Sequence, residues 1–216
     1  MFRNLALVAI LLTTTPPAYA AGGQTAFDYL ALVLSWSPTY CASGNGKTDQ
    51  LQCGAGRHYA FVVHGLWPQR ETGWPEYCDS RERYVPERTI AAMLDIMPSK
   101  RLIIHEWKKH GTCSHLGQAD YFAVTRALYN KIKIPARYLS PQAPVTTSPD
   151  QLVQDFTKTN AWLDPGMISV QCGNRRDRAD LHEIRFCFDK AGAPRNCGKN
   201  EARSCRAERL NLPPAR

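Results

Sequence analysis

Phe61-Val-Val-His64-Gly-Leu-Trp67-Pro68 and His105-Glu106-Trp107-Lys108-Lys109-His110-Gly111-Thr112-Cys113 are the two stretches on which the reading of this chain turns. Tyr59 to Val63 is apolar and β-rich, and as a strand it delivers His64 at its end. Arg101 to His110 has helical spacing, with Gly111 as the stop. At about 100° per residue, His105, Glu106, Lys109 and His110 fall within roughly 140° of arc, so all four can face one cleft. Trp107 points to another side and reads as packing. A polar helix face is usually no more than a solvated one. Here the three imidazoles, the carboxylate and the ammonium together suit proton transfer around a phosphodiester, with cations for the developing charge.

Outward from these stretches the pattern is mixed. Phe27 to Trp36 reads as a buried strand. Pro38 to Gly56 reads as a loop closed by a local Cys41–Cys53 bridge, and Gly65 to Tyr84 as a Gly-, Pro- and Trp-rich loop beside the site. Pro86 to Met97 and Ala119 to Lys131 have helical spacing. Met167 to Cys172 and Leu181 to Phe188 read as two later strands, the second with Ile184, Phe186 and Phe188 alternating with Arg185 and Cys187. The polar tail after Asp189 depends on disulfides to stay docked. Helices in the middle flanked by strands predict an α+β fold, a central and mainly antiparallel sheet with flanking helices.

Of the 216 residues, the first twenty read as a removed signal peptide: Arg3, an apolar run from Leu5 to Leu12, then Ala18-Tyr19-Ala20. Residues 21–216 suit one catalytic domain. Later apolar stretches are too short to span a bilayer, so no membrane anchor is expected in the mature form. An exported chain with eight cysteines, Cys41, Cys53, Cys78, Cys113, Cys172, Cys187, Cys197 and Cys205, favours four disulfides in a secreted or periplasmic protein. Spacing alone does not pair them. A net charge of +8 attracts polyanions.

Several chemistries are disfavoured. The segment at 105 puts Lys109 where a zinc-binding His-Glu-x-x-His needs its second histidine, and no Cys-x-x-Cys pair exists. Neither a Gly-x-Ser-x-Gly elbow nor a Gly-rich phosphate loop is present. No metal and no cofactor are expected. His58, His115 and His182 earn no catalytic role.

His64-Gly-Leu-Trp-Pro68 and His105-Glu-Trp-Lys-Lys-His-Gly-Thr-Cys113 resemble the two active-site segments of the ribonuclease T2 family, in that family's order, and the strand around Glu183-Ile-Arg-Phe-Cys187 resembles its late cysteine-bearing strand. The resemblance spans residues 27 to 205. It implies a disulfide-stapled ribonuclease T2-like fold and an endoribonuclease acting on single-stranded RNA. In those terms His110 is the base that takes the 2′-OH proton, and His64 the acid that protonates the departing 5′-oxygen. His105 binds phosphate, Glu106 and Lys109 steady the pentacoordinate phosphorus, and Trp67 walls the base pocket. The implied pairs are Cys78–Cys113, Cys172–Cys205 and Cys187–Cys197, with Cys41–Cys53 as the fourth. Gln69 stands where some members carry an acid that selects adenine, so broad base tolerance is expected, with Trp74 as a second stacking surface. RNA is the expected partner, and DNA, lacking the nucleophile, should survive. The rivals are a catalytically silent RNA-binding module on the same fold and a metal-dependent hydrolase.

Overall fold

The structure is a computed structural model that describes residues 26–201 and 204–215. The expected signal peptide over 1–20, and with it the boundary at residue 21, lies outside the described residues. The N-terminal half runs β1 (Tyr29–Trp36), α1 (Ser37–Ala42), α2 (Gln50–Cys53), β2 (Phe61–Gln69), α3 (Glu87–Ala91), α4 (Lys100–Lys109) and α5 (Gln118–Lys131). The C-terminal half runs β3 (Val145–Thr147), α6 (Pro149–Thr159), β4 (Ile168–Cys172), β5 (Arg178–Phe188) and β6 (Arg209–Leu212). The strands form one sheet in the order β2-β1-β5-β6-β3, with β4 also paired to β5. Every ladder is antiparallel except the short parallel one between β5 and β6. The fold is therefore the expected α+β arrangement.

β1 explains why its sequence is apolar at almost every position. Leu30, Leu32, Leu34 and Trp36 face the main core beneath the helices, where Ile103, Trp107, Tyr121, Phe122 and Phe156 pack. Tyr29, Ala31 and Val33 face the other way, against Cys187, Trp67 and Cys197. A strand buried on both sides shows no polar alternation, and its register is fixed by both faces at once.

Several local expectations need correction. The stretch 38–56 is not a plain loop. Pro38 sits in the first turn of α1, where its fixed φ suits a helix start, and Asp49 caps α2 by accepting from the Gln52 N–H at 3.4 Å. Gly65 to Gln69 are not loop either but continue β2, so His64 lies inside that strand and not at its end. The helix expected over 86–97 stops at Ala91. Beyond it the chain closes tighter turns, with Ile96 N–H bonded to Met93 C=O, and Pro98 disfavours helix at Met97. Gly111 follows α4 without a left-handed φ. A Cβ there would lie 2.3 Å from Cε3 of Trp107, so close packing demands the glycine. The polar tail contributes β6, whose Leu210 and Leu212 are wholly buried.

All eight cysteines are paired, as Cys41–Cys53, Cys78–Cys113, Cys172–Cys205 and Cys187–Cys197. Cys172–Cys205 and Cys187–Cys197 both tie the tail to β4 and β5. Among the described residues no helix is long and apolar enough to cross a membrane.

The two tail bridges close loops of different length, 33 and 10 residues. Chain-entropy scaling then makes the longer one the greater stabiliser, about 4 against about 3 kcal/mol. Cys-to-Ser pairs at 172/205 and at 187/197, compared by urea unfolding, should lose stability in that order.

Candidate active site

The site is built on an irregularity in β2. Val33 pairs with Gly65 and Leu34 with Val63, which leaves His64 as an extra residue, a β-bulge. The bulge reverses the strand's alternation. Before it Phe61 and Val63 point into the core; after it Leu66 does, and Trp67 turns to the opposite face. Without the extra residue, Trp67 would point into the core and Leu66 at the cleft.

Trp67 is the hub of what gathers there. Its ring lies against the His110 ring at 4.9 Å and 22°. The His64 ring meets it edge-on at 5.2 Å. The Arg185 guanidinium sits over it at 4.8 Å. Its indole N–H donates to Oε2 of Glu106 at 2.7 Å. Glu106, on the last turn of α4, is buried, and its Oε1 lies 3.6 Å from Nε2 of His64. Gly65 is what admits this carboxylate, since a Cβ there would lie 2.0 Å from Oε2 of Glu106.

His105 and Lys109, also on α4, stand at the rim. His105 is exposed and meets the Tyr77 ring edge-on at 6.5 Å. Lys109 lies 3.7 Å from Glu76. Trp67, Gln69, Trp74, Lys109, His110, Arg185 and Asn200 line a cavity of about 170 Å³. Gln69 is buried and accepts from the Asn200 amide at 3.2 Å, whereas Trp74 is half exposed. A second cavity, about 250 Å³, opens on the other side of His64, between Ser35, Tyr40, Gln52, Leu102, His182 and Glu183. His115, by contrast, stacks on Phe27, and Trp107 is buried in the core.

The histidines are driven in opposite directions. Burial lowers the proton affinity of His110, and Lys109, His64 and His105 lower it further, to a pKa of about 3. Its Nδ1 is buried with no hydrogen-bond partner among the described residues. Burial also lowers His64, but a hydrogen bond to Glu183 and the charges of Glu106 and Glu183 outweigh it and leave His64 raised. His105 is lowered by partial burial and by Lys109. Burial pushes the Glu106 carboxyl up to about 7, against the opposing pull of His64 and the Trp67 N–H. Among the described residues no three of His, Cys, Asp and Glu are grouped as metal ligands would be.

The sequence reading gave no role to Glu183, Arg185, Asn200, Glu76, Tyr77 or Glu201. The alternation of the late strand did place Arg185 opposite its apolar face. Nothing local said that this face meets the cleft.

Comparison with known proteins gives a consistent result. The model of the ribonuclease T2 family matches residues 27–197. A ribonuclease of Aeromonas hydrophila is 36% identical over 175 residues, covering 80% of this chain and 77% of its own. A probable ribonuclease of Haemophilus influenzae is 32% identical over 182 residues, covering 79% of this chain; the match spans 61% of that protein's length. In structure, trichomaglin, an S-like ribonuclease, superposes with a TM-score of 0.70 at 22% identity, over 88% of this chain and 100% of its own.

The Gly65 contact generates a direct test. Gly65→Ala should drive Glu106 away from Trp67 and lower stability by about 1–3 kcal/mol, as overpacking does. Denaturant midpoints and the indole N–H resonance of Trp67 would report it; an unmoved resonance would show that the carboxylate is not wedged there.

Proposed function

The chain belongs to the ribonuclease T2 family, and on that premise we propose that it is a metal-independent endoribonuclease that cleaves single-stranded RNA by transfer of the phosphoryl group to the 2′-oxygen. The observation that carries the reading is the pair His64 and His110, both packed against Trp67, one biased toward the protonated and the other toward the neutral form. Acid–base catalysis at one phosphorus needs that division.

In this reading His110 takes the proton of the ribose 2′-OH. The 2′-oxygen forms its bond to phosphorus and the bond from phosphorus to O5′ breaks. His64 gives its proton to that oxygen. The products are a 2′,3′-cyclic phosphate and a free 5′-OH. The nucleophile belongs to the substrate, so holding it in line contributes much of the rate, and DNA, without it, is not cleaved. Lys109 and His105 at the rim meet the phosphate. Glu106 is protonated through the acidic range, so it donates to a phosphoryl oxygen and does not repel it.

The base whose ribose attacks enters the cavity between Trp74, Gln69 and Asn200. The Trp67 ring already carries His110 and Arg185, which leaves the open surface of Trp74 to stack on a base. Gln69 both donates and accepts, which favours broad base tolerance. The leaving nucleoside lies on the His64 side. Four disulfides suit an oxidising compartment, so we place the protein in the periplasm or outside the cell.

Purified protein incubated with RNA and DNA in excess EDTA should cut only the RNA, leaving 2′,3′-cyclic phosphate and 5′-OH ends. His110→Ala and His64→Phe should each reduce turnover by about 10²-fold or more. Intact RNA, or cleavage that returns only with added metal, would sink the reading.

The pH dependence follows from the two directions. The rate rises with pH as the depressed His110 loses its proton, and falls as the raised His64 loses its own. A dinucleotide monophosphate should therefore show a bell in kcat/KM with its acid limb well below 6.5 and its basic limb above it. A rate that still climbs above pH 8 would contradict this division of roles.

A further inference from the structure

We propose that Glu183 is the positioning residue of the His64 general acid, held in turn by Arg185 and Glu201, a role that rests on the reading of His64 as the acid. Glu183 sits on β5, 119 residues from His64, and Oε1 lies 2.7 Å from the His64 Nδ1. A carboxylate at that nitrogen selects the form in which Nδ1 carries a proton toward Glu183. Nε2, the nitrogen on the Glu106 side, is then the one that exchanges a proton with the leaving oxygen. The ring is also fixed in azimuth, because the Trp67 edge contact alone leaves it free to turn about χ2.

The carboxylate divides its two oxygens. Oε1 serves His64, while Oε2 accepts two bonds from Arg185, from Nε at 3.1 Å and Nη2 at 2.8 Å. Arg185 Nη1 reaches Glu201 Oε1 at 3.3 Å, and the Tyr29 hydroxyl donates to the other oxygen of Glu201. Glu201 is anchored a second time, since its backbone C=O accepts from the Ser169 hydroxyl at 2.6 Å. The result is a chain of alternating charge, His64, Glu183, Arg185, Glu201, closed at its buried end by a neutral phenol. Glu183 and Arg185 each line a cavity beside His64, whereas Glu201 and the Tyr29 phenol lie behind them in the buried part of the molecule. An ion-pair chain with a purely structural purpose has no need to end on an imidazole between two cavities.

β5 is shaped for this. Gln171 pairs with Glu183 but Cys172 pairs with Leu181, so His182 is an extra residue. As in β2, the bulge reverses the alternation. Leu181 lies in the core before it and Ile184 and Phe186 after it, and Glu183 and Arg185 come out on the His64 side. Each partner of the dyad therefore depends on its own bulge. Burial by itself would raise Glu183, yet the hydrogen bond to His64 and the charges of His64 and Arg185 hold it down at about 2, so it stays a carboxylate throughout the working range. The charged groups facing His64 are Glu183 and Arg185 from β5, and Glu106, His105 and His110 from α4 and its end. Of these, Glu183 alone makes a hydrogen bond to it at ordinary length.

The test uses the full chain with Glu183→Gln. Imidazole NMR of 15N-histidine protein should show the His64 pKa falling by about one or more and its neutral tautomers mixing. On a natural dinucleotide, kcat should drop about 10²-fold with KM within about threefold. On a dinucleotide with sulfur in place of O5′, whose thiolate leaves without a proton, the deficit should shrink to a few-fold, and Glu183→Asp should recover part of the natural rate. Equal losses on the oxygen and sulfur substrates, or an unchanged His64 titration, would overturn the proposal. If Glu183→Gln does not fold, Glu201→Gln, which leaves the cleft untouched, should move the His64 titration the same way to a smaller extent; no movement overturns it equally. Normal turnover by His64→Phe would remove the acid assignment and this proposal together, whereas a silent His64 titration in Glu183→Gln removes only the proposal.

Discussion

One extra residue in β2 decides where everything else in the cleft can stand. β1 is packed on both faces, so its partners cannot slide past it without moving apolar side chains into the wrong layer. Within that fixed register the bulge at His64 sends Phe61, Val63 and Leu66 to one side and Trp67 to the other. The Trp67 ring then becomes the surface on which His110, Arg185 and His64 are collected, and its N–H the donor that a buried carboxylate requires. Gly65 is part of the same constraint, because only a residue without a Cβ leaves room for Glu106 beside the strand.

The electrostatic arrangement follows from that geometry. A carboxyl buried as deeply as Glu106 loses much of its hydration, and a single indole N–H with a cation 3.6 Å away offsets that loss only in part. It therefore sits near 7, at the boundary between its two forms. Glu183 is less completely buried and has three donor contacts, one to His64 and two to Arg185, and stays ionised. Two carboxyls within reach of one imidazole are thus driven in opposite directions, by depth of burial and by the number of donors each receives. Such sets of neighbouring groups with displaced titration are the mark of a site arranged for proton transfer.

What was legible in the sequence was what is local in it. His64 to Pro68 and His105 to Cys113 are continuous segments, so their residues could be read together, and the helical arc correctly brought Glu106 and His110 toward one side. The apolar run of β1 was visible as a buried strand. The bulges were not, because Phe61, Val63 and Leu66 fit neither a period of two nor a helical one, and an extra residue leaves no composition of its own. Glu183, Arg185 and Asn200 reach the cleft only through pairings that span more than a hundred residues. On β5, Glu183 and Arg185 look like the solvated face of any half-buried strand, and Asn200 like any polar turn residue of the tail. The tail read as polar because its four-residue strand holds only two apolar side chains, both of which turn out to be wholly buried.

The contrast between His64 and His110 also bears on what substrate does to the cleft. Both rings lose hydration on burial, and both feel neighbouring cations. The difference is that a carboxylate touches His64 and none touches His110, whose Nδ1 has no hydrogen-bond partner among the described residues. Burial first, and then the cations around it, hold His110 below the ordinary histidine range in the free protein. In the proposed reaction a phosphodiester entering beside Lys109 and His105 brings the missing negative charge. That charge opposes the pull of Lys109 and its neighbours on His110, while the burial that contributes most to the depression remains. On the same reading the anion favours the protonated form of His64 as well. On the proposed reading the substrate's own charge thus adjusts both rings, against a background of burial that the fold sets.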